Sequence, residues 1–192
     1  MSGRLVDAAD CVLVVIDSQP GFLQEVKVPL ARAIEDRIRW LIRLARELDV
    51  PLVVTEEQPP RNGATADRIL AVLPDGQVRH EKEAFGLAAC PPIMADLGRH
   101  GRRTAVLCGL ETDVCVAQSA LGLLDAGWRV VVVRDAVASP EPGHGQGLAR
   151  MRDAGAEVVG LKGLAYEWLR TVDRLDVLET QLGGDTPMGV TL

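Results

Sequence analysis

The run CVLVVI, Cys11 to Ile16, constrains the fold of this chain more than any other stretch, because no polar residue interrupts it. A strand with one wet face alternates apolar and polar residues, whereas a strand covered on both faces reads as a continuous apolar run, the habit of a parallel sheet sandwiched between helices. The signal returns in PLVVT, and again in LGRHGRRTAVLCG, LLDAGWRVVVVRD and MRDAGAEVVG, each of which passes from a helix end through glycine into a strand. Gly101, Gly127 and Gly155 occupy the positions of helix C-caps. DGQVRHEKEAF offers a shorter and weaker strand, while DSQPGF and EEQPPRNGATAD read as loops. Between strands, Leu30, Ile34, Ile38, Leu41, Ile42, Ala45 and Leu48 recur at spacings of three and four, one helical stripe that ends before Pro51. Val116, Ala117, Ala120, Leu121 and Leu124 form a second stripe, and Leu164, Trp168 and Val172 suggest another helix near the end.

Strands alternating with helices predict an α/β three-layer sandwich, a parallel sheet with right-handed crossovers and helices on both faces. In such sheets a ligand sits beyond the carboxyl ends of the strands, where the winding reverses. The 192 residues fit a single domain, 1–192, with 172–192 expected to contribute a C-terminal arm because QLGGDTPMGVTL lacks periodicity. Apolar residues at 47% and charged residues at 25% suit a chain that buries a sizeable core. A formal net charge of -6 without a basic cluster argues against a nucleic-acid partner. No apolar run approaches the roughly 18 residues that span a bilayer, and MSGRLVDAAD lacks the apolar core of a signal peptide, so no membrane partner and a cytoplasmic location are expected. Cys11, Cys90, Cys108 and Cys115 form no C-x-x-C pair, which disfavours a disulfide scaffold or a zinc site.

The strand ends carry the chemistry. Strand one delivers Asp17, strand two Thr55, Glu56 and Glu57, the weak strand Lys82, strand four the turn from Gly109 to Cys115, and strand five Arg134 and Asp135. One acid, one amine and one thiol can converge there. A helix start and a nearby ammonium both favour a thiolate, a carboxylate can move the proton, and N–H groups at a helix start can hold an oxyanion. On spacing alone, Cys115 reads as readily as a small buried filler, Asp17 as a turn former and Lys82 as a solvated charge.

Three segments together resemble the isochorismatase-like cysteine hydrolases. VLVVIDSQPGF resembles the family's apolar-D-x-Q-x-x-F opening, HEKEAFG its lysine segment, and VLCGLETDVCV its G-x-x-T-x-x-C-V turn, in the family's order and across residues 10–170. The resemblance implies six parallel strands, a triad of Asp17, Lys82 and Cys115, and a cis peptide at Leu110–Glu111. It also implies backbone N–H groups of Glu111 and Cys115 aimed at one oxyanion position, with Thr112 bracing the turn and Gln19 in an orienting role rather than in contact with substrate. Phe22 and Phe85, a few residues past the acid and the amine, read either as walls of a substrate pocket or as core packing.

Family members that act as nicotinamidases carry an Asp-x-His metal cluster after strand two; TEEQPPRNG has no histidine, so neither metal nor other cofactor is expected. His80, His100 and His144 have no mutual ligand spacing and read as structural or solvated, with His144 able to approach the site. Glu81, Glu83, Glu111 and Asp113 surround the motifs with negative charge. The expected function is metal-independent cleavage of a small amide or related C–N bond through a thioester acyl-enzyme. The alternatives are isochorismatase-type vinyl-ether hydrolysis, which needs no thiol, and a catalytically silent binding scaffold on the same fold. A small-molecule substrate and a homo-oligomer, dimer or tetramer, follow from the resemblance.

Overall fold

The computed structural model describes residues 3–182, 186 and 187. Its six strands are β1 (Cys11–Ile16), β2 (Leu52–Glu57), β3 (Arg79–Lys82), β4 (Thr104–Leu110), β5 (Arg129–Ala138) and β6 (Glu157–Val159). The helices are α1 (Pro20–Leu23), α2 (Val28–Glu47), α3 (Pro59–Asn62), α4 (Asp67–Leu70), α5 (Pro91–Arg99), α6 (Ala117–Asp125), α7 (Gly143–Asp153), α8 (Leu161–Leu169) and α9 (Val172–Leu182). The strands form one sheet in the order β3-β2-β1-β4-β5-β6, and every pairing is parallel. This is a doubly wound α/β sandwich whose winding reverses between β1 and β4.

Alternation along the central strands divides the core. Cys11, Leu13 and Val15 of β1, with Val106, Cys108 and Leu110 of β4, meet the buried faces of α2 and α8. Val12, Val14 and Ile16, with Ala105 and Leu107, meet α6 and Ile93 and Leu97 of α5. Both faces being covered, β1 and β4 are buried throughout, as an unbroken apolar run requires. The glycines after α5, α6 and α7 take positive φ, 64° at Gly101, 84° at Gly127 and 105° at Gly155, a conformation without penalty only for glycine.

Four elements depart from the sequence expectation. The loops DSQPGF and EEQPPRNGATAD contain α1 and α3, each a single turn opened by proline at its first positions. β2 runs two residues beyond its apolar run, through Glu56 and Glu57, both buried. β5 also extends past its valines: residues opposite Leu107 and Gly109 are Val132 and Val137, so Arg134 and Asp135 swell out of the ladder in a bulge.

The segment 172–192, expected as an arm, begins as α9, whose Leu178 and Leu182 are buried in the same core as α2, with the Leu182 carbonyl accepting from Arg43 at 2.9 Å. Its residues 183–185 and 188–192 lie outside the described residues. Among the described residues no helix is long and apolar enough to cross a membrane.

Candidate active site

The loops after β1 and β4, on either side of the switch point, bring together the acid and the thiol named from sequence, and the end of β3 brings the amine. Asp17 follows β1 directly with φ 43°, which turns its side chain beneath the sheet end. Its Oδ2 meets Lys82 Nζ at 2.6 Å, with both side chains fully enclosed. Oδ1 accepts from Thr55 Oγ1 at 2.7 Å. Lys82 also donates to the carbonyls of Ala84, at 3.0 Å, and Phe85, at 3.1 Å. An ammonium has three donors, so Lys82 is saturated and acts on the thiol through its charge and through Asp17.

Cys115 lies in a wide turn, Thr112–Val116, that precedes α6, with Val116 N–H donating to the Glu111 carbonyl at 3.0 Å. Such i→i+5 turns recur at functional sites. The Leu110–Glu111 peptide is cis. Two close approaches hold this turn against its neighbours. Gly109, with φ 118°, lies so near β1 that a Cβ there would stand 1.9 Å from the Ile16 carbonyl oxygen. A Cβ on Gly147 of α7 would stand 2.8 Å from the Asp113 Cα. Thr112 pairs through Oγ1 with His144 Nδ1 at 2.9 Å, and Asp113 Oδ1 accepts from Ser139 Oγ at 2.5 Å.

Cys115 is only 1% exposed, and its Sγ is 3.2 Å from Glu57 Oε2. The ligand atoms of Asp17, Glu57 and Cys115 all fall within 4.8 Å of one another. Three such donors could surround a cation, but the Lys82 ammonium already occupies that role against Asp17. Burial, first, and the Asp17 charge, second, push the Cys115 thiol well above its ordinary value; Lys82 opposes them without prevailing, and Glu57 adds to the rise. Two carboxylates and a dry environment thus act against the thiolate that one ammonium and a helix start favour. Burial likewise raises Asp17, against the lowering effect of Lys82 and Thr55.

Gln19 is fully buried and locks the β1 loop to the end of β2, its Oε1 accepting from Glu57 N–H at 2.7 Å and its Nε2 donating to the Glu57 carbonyl at 3.0 Å and to Gly63. Phe22 is partly buried on the α2 side of the core. Phe85 is 48% exposed, and its carbonyl rather than its ring approaches Lys82. A cavity of about 490 Å³ opens beside Lys82, bounded by the Gln58–Arg61 turn and by Glu81 and Glu83. His80 and His100 both turn to Asp96, away from this site. Glu57 is named from sequence only as a strand-two end, without a role, because nothing near it in sequence signals a thiol 58 residues away.

Residues 11–162 match the isochorismatase domain family. Isochorismatase domain-containing protein 2 of Bos taurus is 32% identical over 167 residues, covering 86% of this chain and 78% of that protein. The secreted isochorismatase effector Isc1 of Phytophthora sojae is 32% identical over 134 residues, covering 66% of this chain and 62% of that protein, so the chain spans about three-fifths of its length. Among solved structures, the MAR1 ribonuclease of Caenorhabditis elegans superposes with a TM-score of 0.85 at 27% identity, covering 98% of each chain.

Proposed function

The chain belongs to the isochorismatase family of hydrolases, and from that premise we propose that it is a metal-independent cysteine hydrolase cleaving a small amide or related C–N bond through a thioester. The convergence of Asp17, Lys82 and Cys115 at the sheet's switch point is the observation that carries this reading. Burial sets the two proton-handling groups in a useful order. Asp17, raised by burial, is a competent acceptor, and Cys115 keeps its proton until a carbonyl is presented.

The Cys115 proton passes to Asp17 as Sγ bonds to the carbonyl carbon, and the carbonyl oxygen takes up negative charge against the N–H groups of Glu111 and Cys115. Asp17 returns the proton to the departing amine as the C–N bond breaks, leaving a thioester. Water then adds to the thioester carbonyl and gives a proton to Asp17; the C–S bond breaks, the carboxylic acid leaves, and Cys115 recovers its proton. Lys82 stays on Asp17 throughout, Gln19 and Thr112 hold the two loops, and Phe22 and Phe85 remain proposed pocket walls.

The ribonuclease name of the Caenorhabditis elegans protein finds no support here, because the chain carries a net charge of -6 and its nucleophile stands between carboxylates. Self-association is proposed on the exposed Val28, 83% accessible at the start of α2, and its neighbour Leu30. A screen of small amides, ureas and nicotinamide with the purified protein tests the reaction. Cys115→Ala and Asp17→Asn are each expected to abolish turnover of whatever is hydrolysed. Turnover that survives Cys115→Ala would point to vinyl-ether chemistry instead, and a folded protein inert toward every class would favour the binding scaffold.

A further inference from the structure

Glu57 is anchored more firmly than catalysis by the triad alone requires. Gln19 holds both its N–H and its carbonyl, and Asn62 Nδ2 donates to the same carbonyl at 2.9 Å, so the end of β2 cannot slide. From that fixed point the side chain, in a residue only 8% exposed, aims its carboxylate at the nucleophile. Neither Lys82 nor Arg79 of β3 serves it: Lys82 is committed to Asp17, and Arg79 pairs with Glu56 at 3.5 Å. Two buried carboxylates, Asp17 and Glu57, thus share one ammonium beside the thiol. The neighbouring Glu111 adds to the negative side, since it faces Asp113, Glu25 and Glu57, and its carboxyl is raised by burial and by their charges. A buried charge without a counterion is costly, and a ligand that supplies the counterion recovers that cost on binding.

We propose that Glu57 is the specificity-determining residue of this site, selecting substrates with a cationic or N–H-rich group, such as an ammonium-bearing amide or a guanidine, next to the scissile bond and rejecting anionic ones. The inference rests on the cysteine-hydrolase reading above, but it is tested at the thiol without turnover. A substrate cation on Glu57 replaces the thiol as its hydrogen-bond partner and offsets the charge that keeps Cys115 protonated, so that binding the right substrate also frees the nucleophile. The groups facing Cys115 in this account are Asp17, Lys82 and Glu57.

The probes are methanethiosulfonates of equal reach and opposite charge, aminoethyl and sulfonatoethyl, used on protein carrying Cys90→Ser so that the partly exposed Cys90 does not compete. Each reaction forms a mixed disulfide at Cys115 and releases methanesulfinate, and mass spectrometry follows its rate. Relative to free cysteine, the aminoethyl reagent is expected to be favoured over the sulfonatoethyl reagent by on the order of 100- to 1,000-fold, the scale of one unit-charge interaction over roughly 4–6 Å at an effective dielectric constant of about 20. Glu57→Gln should bring the ratio down toward that of free cysteine and move the pH at which Cys115 becomes reactive downward. A wild-type ratio equal to that of free cysteine, or a ratio that Glu57→Gln leaves intact, overturns the proposal. If Glu57→Gln does not fold, Glu57→Asp, which keeps the charge, must keep the preference. An amide screen that fails while the charge preference stands would refute the reaction and leave Glu57's role in place.

Discussion

Strand β3 sends two side chains, His80 and Lys82, into two different carboxylate clusters, and the contrast separates a site from a brace. Lys82 meets Asp17, where the pair is fully enclosed and a thiol and a second carboxylate stand alongside. His80 meets Asp96 of α5 at 2.5 Å, where Arg99 also reaches Asp96 at 2.5 Å and His100 approaches at 3.6 Å. Asp96 has three basic side chains around it, and Arg99 is 64% exposed, so water shares the work. Around Asp17 the balance tilts the other way, with more acceptors than cations and no solvent. Charge satisfied at the rim fastens a helix to an edge strand; charge left short in the interior waits for a ligand.

That contrast can be broken from either side. Lys82→Met should lower turnover by on the order of 10²- to 10⁴-fold, the usual reach of acid–base machinery, whereas Asp96→Ala should leave turnover per folded molecule unchanged; steady-state kinetics on correctly folded fractions compares them. Asp96→Ala should instead lower unfolding free energy by about 1–3 kcal/mol, as expected when hydrogen bonds to a buried charged group are lost, read by chemical denaturation. If Asp96→Ala slowed catalysis with stability intact, the division between site and brace would fail.

Two pH effects sharpen the comparison. Burial raises Cys11 from 9.0 to about 12, and raises Cys108 and Cys115 as well. A group whose folded pKa is raised contributes stability below its unfolded pKa and loses it as pH climbs toward the folded value. Melting temperature should therefore fall as pH rises above 9.0, the value from which Cys11 starts, and Cys108→Ala, less stable at neutral pH, should lose less over that window. The smallest effect belongs to the brace. Burial lowers His100 from 6.5 despite Asp96, so its contribution is present above that pH and fades as the unfolded chain takes up protons below it. His100→Gln should flatten the acid limb of the melting curve without altering the alkaline one.

The sequence made the sheet legible because solvent exclusion writes itself locally: CVLVVI is β1 residue for residue, and the three glycine-led rhythms end in β4, β5 and β6. The short helices α1 and α3 were hidden because a proline inside a polar stretch signals a loop as strongly as a helix start. Asp17, Lys82 and Cys115 were named because each stands at a strand end, and the structure brings them together. Glu56 and Glu57 could not be recognised as buried, since their partners, Thr65, Gln19 and Cys115, lie on other elements. The balance at the thiol was hidden for the same reason: it depends on burial first and then on Asp17, Lys82 and Glu57, which lie on other elements.

Gly109 has a consequence for anyone who would redesign this protein. With room for a hydrogen and nothing larger against the Ile16 carbonyl, the gap between the acid's strand and the thiol's strand is gauged by main chain alone. Changes elsewhere around the site then leave that working distance untouched, and every redesign inherits it unaltered.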